Sequence, residues 1–381
     1  MRGPGRPPGG PLLCPECARR DWLLSQLSPL LDYHRGRRQR LRELLALGDE
    51  QLLAAVGGRR REHLRAELAA WRRSSAAGQA GICRHNPDFP ERLSFPGGPH
   101  ALHLAGPPGR LRALAGAPCV ALLGPARCSD YGAEVARSLA RELARAGVTI
   151  VAGAHGALPG AAHTGAAEAG RGSLAVAGTG ARREAPALPR RASAVSELPA
   201  GCRGRGWGAA ASERIVAGLG EVAVLVEGEA GREALDAPRL AASLGRRVAA
   251  VPGRITSPLA RGPHALLAEG ARLVTGAGEI LELLGLPADL PPPARPPLPR
   301  GLSCALGELE RGSDTMGSLA QVLGGAGPAL AALGELEALG FVRRGRDGRY
   351  SPCLQGPELK CGSVSADADG EMTDQLEGGR P

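Results

Sequence analysis

A chain of 381 residues holds two or three domains with a sizeable core, and 57 Gly with 33 Pro imply many loops between its elements. The 47 basic residues outnumber 38 acidic ones, for a net charge of +9. Lys360 is the one lysine and Ala and Gly abound, so the arginine excess follows the composition at large and points to an anionic partner only in general terms. No run of 18 apolar residues occurs and the first residues are Gly, Pro and Arg, so neither a helical membrane span nor a signal peptide is expected, and the expected location is cytoplasmic.

Charge is unevenly spread. Residues 1–75 carry 15 Arg against 8 acids, and residues 356–381 carry 6 acids against 2 bases. Blocks of this kind mark interaction arms or solvated tails. Residues 1–13 are expected to be disordered, and 14–78 to form a helical domain of the SAM or helix-hairpin-helix kind. Leu23, Leu24, Leu27, Leu30 and Leu31, then Leu41, Leu44, Leu45, Leu52, Leu53 and Val56, then Leu64 and Leu68 keep helical spacing, broken at Gly48 and at Gly57-Gly58. The corner followed by Arg59, Arg60 and Arg61 reads as a solvated face, with a grip on a DNA backbone as the alternative.

Nine cysteines show no disulfide-framework spacing and are expected as thiols, Cys119 as a small hydrophobe on a buried strand. Cys14-Pro-Glu-Cys17 has the spacing of half a zinc site, but no second Cys-x-x-Cys or His pair follows, with only Cys83 and His85 as distant candidates for further ligands. The expectation is therefore a helix start and no metal.

Residues 79–285 read as a Rossmann-like core. After a lead-in with the short strand Ala101–Ala105, the apolar run 119–124 breaks at Gly124, a helical segment covers 131–147, and a second apolar run, 148–153, ends at Gly153. This is a βαβ unit with glycines at the carboxyl ends of both strands, where open α/β sheets bind phosphate-bearing ligands. Further strands at 173–177, 194–198, 222–226 and 247–251 alternate with helices at 212–219 and 231–244. The fold class expected is α/β, an extended, doubly wound, mostly parallel sheet. Residues 286–300 form a Pro-rich linker and 301–354 a winged helix: helices up to Arg311, at 318–323 and at 328–339, then a hairpin turning near Gly348. The third of these helices offers no Arg, Lys, Asn or Gln to base edges, so a protein contact or regulatory role competes with sequence readout. Residues 355–381 read as a disordered acidic tail.

Five blocks stand in a specific order: Gly124-Pro-Ala-Arg127-Cys-Ser129-Asp-Tyr131-Gly132; Gly153 leading to Gly160-Ala-Ala-His163; Trp207 and Arg214-Ile-Val-Ala-Gly-Leu219; Pro252-Gly253; and Arg261-Gly262. In this order the chain resembles the DNA-processing protein A family, also called DprA or Smf, over roughly residues 80–285, with the helical front and winged-helix end of longer members. The resemblance implies a non-catalytic protein without a cofactor that binds and protects single-stranded DNA, delivers it to the RecA recombinase during natural transformation, and dimerises through its core. Several motifs depart from the family. Pro125 and Ala126 replace Ser and Arg of its Gly-Ser-Arg block, leaving Arg127 one place on, Ala157 and Pro159 replace a glycine and an acid, and the Phe-Pro-x-Arg-Asn-Arg block keeps Arg214 alone. A paralogue with altered or lost DNA binding is therefore an alternative.

The residues assigned to nucleic acid are Gly124, Arg127, Ser129, Tyr131, Gly153, His163, Trp207, Arg214, Gly253, Arg261 and Gly262. Gly124 and Gly153 allow close approach of a phosphate, though a structural turn needs the same residues. Arg127 and Arg214 supply charge to the backbone; Tyr131 stacks a base or anchors a helix start, which Ser129 caps; His163 contacts phosphate or braces a loop. The loop glycines Gly253 and Gly262 shape the fold first. No enzyme constellation stands out. Glu197, Glu227 and Glu229 at strand ends would suit a nucleoside-phosphate hydrolase, and a nucleotide sensor acting on the winged helix is a further reading.

Overall fold

A computed structural model describes residues 13–34, 38–71, 81–198, 207–288, 298–345 and 348–352. The expected disordered ends, most of the Pro-rich linker and the tip of the hairpin lie outside these residues. The chain divides into two compact units, Met1–Pro291 and Pro292–Pro381.

The first unit opens with four helices, α1 Pro15–Leu31, α2 Arg38–Ala46, α3 Asp49–Val56 and α4 Arg61–Ala70. Cys14 caps α1 and Pro15 takes its first turn, where a missing N–H costs nothing. The leucines at helical spacing, from Leu23 to Leu68, form one cluster in which all but the partly buried Leu30 are nearly inaccessible. That cluster also takes in Trp207, Ala210 and Ala211 from far along the chain, and the Trp207 indole N–H donates to Ser28 Oγ at 2.9 Å. The helical front thus shares a core with the segment that follows the sixth strand.

The nine-stranded sheet is made of β1 Gly81–Cys83, β2 Ala101–Leu104, β3 Cys119–Leu123, β4 Thr149–Gly153, β5 Ser173–Val176, β6 Ala192–Ser196, β7 Val222–Leu225, β8 Arg247–Ala250 and β9 Arg272–Leu273. Their spatial order is β1-β2-β6-β5-β4-β3-β7-β8-β9. β1 pairs antiparallel with β2 and β2 antiparallel with β6, and every other pair is parallel. The connecting helices are α5 Pro108–Gly116, α6 Asp130–Arg145, α7 Ala157–Glu168, α8 Ala181–Glu184, α9 Trp207–Leu219, α10 Arg232–Ser243, α11 Arg261–Ala268 and α12 Ala277–Leu284. This is a doubly wound α/β fold. Strands β4 to β6 extend to one side of β3 and β7 to β9 to the other, so the crevice at the carboxyl ends of β3 and β7 is the topological switch point.

Two apolar layers sandwich the sheet. On one face Val135, Leu139 and Leu143 of α6, Leu158 and Ala162 of α7 and Ile280 and Leu281 of α12 pack on alternate residues of the strands, such as Val120 and Leu122. On the other, Leu111 of α5, Ile215, Val216 and Leu219 of α9, Leu235 of α10 and Leu266 of α11 meet Cys119, Ala121 and Leu123. Burial on both faces is why these strands read as continuous apolar runs. Cys119 is fully buried, and that burial raises its thiol pKa to about 11.

The structure extends the sequence reading in several places. The Ala-rich helix α7 begins at Ala157, so His163 lies within it rather than at its start. Helix α9 starts at Trp207, and the short strands β1 and β9 and helix α12 were not anticipated.

The second unit contains α13 Arg300–Glu310, α14 Met316–Val322, α15 Ala326–Ala338 and the antiparallel pair β10 Val342–Arg344 and β11 Tyr350–Pro352. This is a winged-helix-like arrangement, with Leu302, Leu306, Leu319, Leu333, Leu336 and Phe341 in its core. Thr315 caps α14, its side chain accepting from the Ser318 N–H. The exposed side of α15 carries Leu330, Glu335 and Glu337.

Helices α6 and α7 approach closely because Gly165 has no side chain: a Cβ there would lie 2.1 Å from the Arg137 carbonyl oxygen. Gly165→Ala is expected to force the helices apart and lower stability by about 1–3 kcal/mol in urea unfolding. An unchanged midpoint would show that the two helices are not in such contact.

Candidate nucleic-acid interface

The carboxyl ends of the parallel strands bring together the loops that hold most of the assigned residues. At the switch point the loop after β3 runs from Gly124 through Arg127 to Ser129, which caps α6 by accepting from the Gly132 N–H at 3.0 Å. The buried carboxylate of Glu227, just beyond β7, lies beneath this helix start. It accepts from the Ser129 N–H at 2.9 Å and from the Ser129 hydroxyl. Gly132 makes room for it, since a Cβ there would meet Glu227 Oε2 at 2.3 Å. The positive end of α6, which an open α/β sheet offers to a phosphate, is therefore filled by the protein's own anion.

The assigned glycines also have packing roles. A Cβ on Gly124 would meet Leu158 Cδ1 at 2.3 Å, and one on Gly262 would meet the Gly228 carbonyl oxygen at 2.6 Å. The Gly253 carbonyl accepts from His264 Nε2 at 3.0 Å, which pins the loop after β8 onto α11. Around them, Arg127, Tyr131 and Arg261 are exposed, as are Arg254 and Ile255 in the loop after β8 and His155 after β4. Ile255 is 88% exposed and Tyr131 48%. Partial burial and the Glu227 carboxylate push the Tyr131 phenol pKa up while Arg254 opposes them, which places all three in one neighbourhood. Arg254, Ile255 and His155 were not singled out from sequence; the signal available was their position after strands β8 and β4, where such sheets bind ligands.

Three assigned side chains are internal, those of Arg214, Trp207 and His163. Arg214 and Glu197 are buried and form a bidentate ion pair at 2.6 and 2.7 Å. Trp207 is fully buried against the front helices and presents no face for stacking. His163 is fully buried between Ser173 Oγ at 2.9 Å and the Gly153 carbonyl at 3.0 Å. Because a carbonyl can only accept, Nε2 carries the proton and Nδ1 accepts from the Ser173 hydroxyl, so the ring is neutral and fixed. The expected backbone contact by Arg214, stacking by Trp207 and phosphate contact by His163 are thus replaced by bracing. The periodicity of apolar residues does not reveal which polar side chains turn inward to meet a partner distant in sequence.

A doubly wound sheet whose switch point is closed by an internal carboxylate, with arginines and apolar side chains on the loops around it, defines a Rossmann-like protein with an open loop rim. The model of the DNA recombination-mediator protein A family matches residues 80–285, and the chain belongs to that family. It is similar to Protein Smf of Escherichia coli K12, 34% identical over 206 residues that make 52% of either chain. It is also similar to the putative DNA processing protein DprA of Mycobacterium tuberculosis, 33% identical over 249 residues, 60% of this chain and 63% of that one. The match therefore spans about half to three fifths of the length of these relatives. The X-ray structure of DNA processing protein A from Streptococcus pneumoniae shares the fold, with a TM-score of 0.55 and 23% identity over 70% of this chain and 95% of that chain.

Removing one member of a buried ion pair strands the other. Arg214→Met is expected to cost about 3–5 kcal/mol of stability. A variant of wild-type stability in urea unfolding would contradict that bracing role.

Burial lowers the His163 pKa from 6.5 to about 4. The unfolded chain therefore takes up this proton first as pH falls, and stability is lost between about pH 6.5 and pH 4, by up to about 3 kcal/mol. His100 is also lowered by burial, to about 3, and adds to the same slope. Urea midpoints of His163→Gln are expected to depend less on pH across this window than those of the wild type; equal slopes would contradict the assignment.

Proposed function

We propose that this protein is a non-catalytic single-stranded-DNA-binding protein of the DNA-processing type, which protects DNA and passes it to the RecA recombinase, acting as a homodimer. The observation that carries this reading is the open rim at the strand ends, where Arg127, Arg254 and Arg261 stand exposed beside Tyr131 and Ile255, in a chain of this family. Cations that track a phosphate backbone, interleaved with surfaces on which bases stack, are what sequence-tolerant single-strand binding requires. With Glu227 at the start of α6, the rim arginines rather than the glycine turns provide the backbone contacts.

The same geometry weighs against the hydrolase and nucleotide-sensor readings. Glu197 is held by Arg214 and Glu227 by Ser129, which leaves Glu229 as the one exposed carboxylate of the three, and a nucleotide phosphate at α6 would have to displace Glu227. In the second unit, the exposed glutamates and leucine of α15 favour a protein partner over DNA.

Fluorescence anisotropy of labelled single-stranded and duplex oligonucleotides, titrated at several salt concentrations, tests the reading. Single strands are expected to bind more tightly. Arg127→Ala and Arg261→Ala are each expected to reduce the salt slope by about 1, and Tyr131→Ala to cost about 1–3 kcal/mol where a base stacks. Equal, weak binding of both oligonucleotides would overturn it and favour a paralogue that has lost DNA binding. Acceleration of RecA filament nucleation on the bound strand tests the hand-over.

A further inference from the structure

The start of α1, in the helical front, meets the end of β1, at the edge of the sheet. There the Sγ atoms of Cys14, Cys17 and Cys83 and a ring nitrogen of His85 lie within 4.8 Å of one another. His85 Nδ1 is 3.2 Å from Cys14 Sγ and 3.5 Å from Cys17 Sγ. Cys17 and Cys83 are buried, Cys14 is partly buried and His85 is exposed.

Local geometry explains how four such side chains converge. Cys14 is the N-cap of α1 and Cys17 lies in its first turn, a separation that puts both on one side of a helix start. Cys83 ends β1 and His85 sits in the turn that follows it, which the Asn86 N–H closes by donating to the Cys83 carbonyl at 2.8 Å. β1 is held in place by its pairing with β2, Cys83 opposite Ala101. The two halves of the set come from positions 69 residues apart and are joined by the fold alone.

We propose that Cys14, Cys17, Cys83 and His85 form a structural zinc site. Zinc bonded to three thiolates at about 2.3 Å and an imidazole at about 2.0–2.1 Å in a tetrahedron holds its ligand atoms about 3.5–3.8 Å apart, near the 3.2 and 3.5 Å from His85 to Cys14 and Cys17 and within the 4.8 Å that spans the set. Four protein ligands fill the tetrahedron and leave no position for water or substrate, as in sites that hold a fold together. Thiolates and an imidazole are the donor set of zinc rather than of magnesium or calcium. Backbone N–H groups already point at two of the sulfurs and orient them, from Cys14 to Cys83 Sγ at 3.5 Å and from Cys17 to Cys14 Sγ at 3.4 Å. On binding, Zn2+ displaces the three thiol protons and accepts a lone pair from neutral His85. The centre is left with one net negative charge beside the positive end of α1.

The ion would clip the helical front to the edge of the sheet. It closes the loop between α1 and β1 and reinforces two contacts made without it, Asp21 to His103 at 3.0 Å and Trp207 to Ser28 at 2.9 Å. This assignment is independent of DNA binding.

The full-length protein, purified under reducing conditions and reconstituted with zinc, is expected to hold about one ion per chain by elemental analysis. Cobalt(II) in its place is expected to give the thiolate charge-transfer and intense visible bands of a tetrahedral sulfur-rich site. Cys83→Ala is expected to abolish both signals. His85→Ala, which removes an exposed ligand and spares the core, is expected to weaken metal affinity by more than about tenfold and keeps the test decisive if Cys83→Ala does not fold. Cys304→Ser, at an exposed cysteine elsewhere, is expected to keep full stoichiometry. Reduced, folded protein that takes up neither zinc nor cobalt, or metal content indifferent to both Cys83 and His85, would overturn the proposal. So would cobalt bands of an octahedral, oxygen-ligated ion.

Discussion

The loop rim depends on one carboxylate. Glu227 reaches from the end of β7 to the start of α6 and fixes Ser129, and through Ser129 the direction in which the loop after β3 leaves the sheet. In a nucleotide-binding relative of this architecture the helix amides at that point would be free to meet a phosphate. Here the positive end of the helix is neutralised from within, at a place that Gly132 leaves open for it. The surface chemistry of the region is consequently transferred outward, to side chains on loops that the buried core merely carries.

A similar division runs through the rest of the first unit. Arg214 with Glu197 and His163 with Ser173 and Gly153 are polar groups turned inward, each matched to a partner at hydrogen-bonding distance. Such matched groups cost little when complete and much when broken, which makes them rigid fixtures for the strand ends. Loops resting on fixtures of this kind can vary in sequence while their anchor points stay put. The departures from the family's motifs at Pro125, Ala126, Ala157 and Pro159 fall in the segments between β3 and α6 and between β4 and the first turn of α7, while the strands keep their apolar pattern.

Most of the architecture was legible in the sequence because burial on both faces leaves an unmistakable record. The runs at 119–124, 148–153 and 222–226 read as strands because they are apolar almost throughout, with Thr149 the exception, and the leucines from Leu23 to Leu68 are helical because their spacing is. What was not legible is what depends on distant partners. Arg214 and Trp207 carry the residue types of a DNA contact, and only the fold shows that Glu197 and Ser28 occupy them. The strands β1 and β9 have three and two residues, too few for a period to be detected. Cys83 and His85 stood in the sequence only as distant candidates to join Cys14 and Cys17, since their meeting is a consequence of how β1 lies beside α1.

Those two short strands have a further effect at the ends of the sheet. Among the described residues β1 and β9 are its outermost members, with three and two residues of ladder. A second molecule seeking to prolong the sheet would find too little backbone to hold, which is how natural sheets avoid runaway stacking. Strand addition between copies of this chain is thereby disfavoured, and the sheet ends carry little risk of fibrous growth.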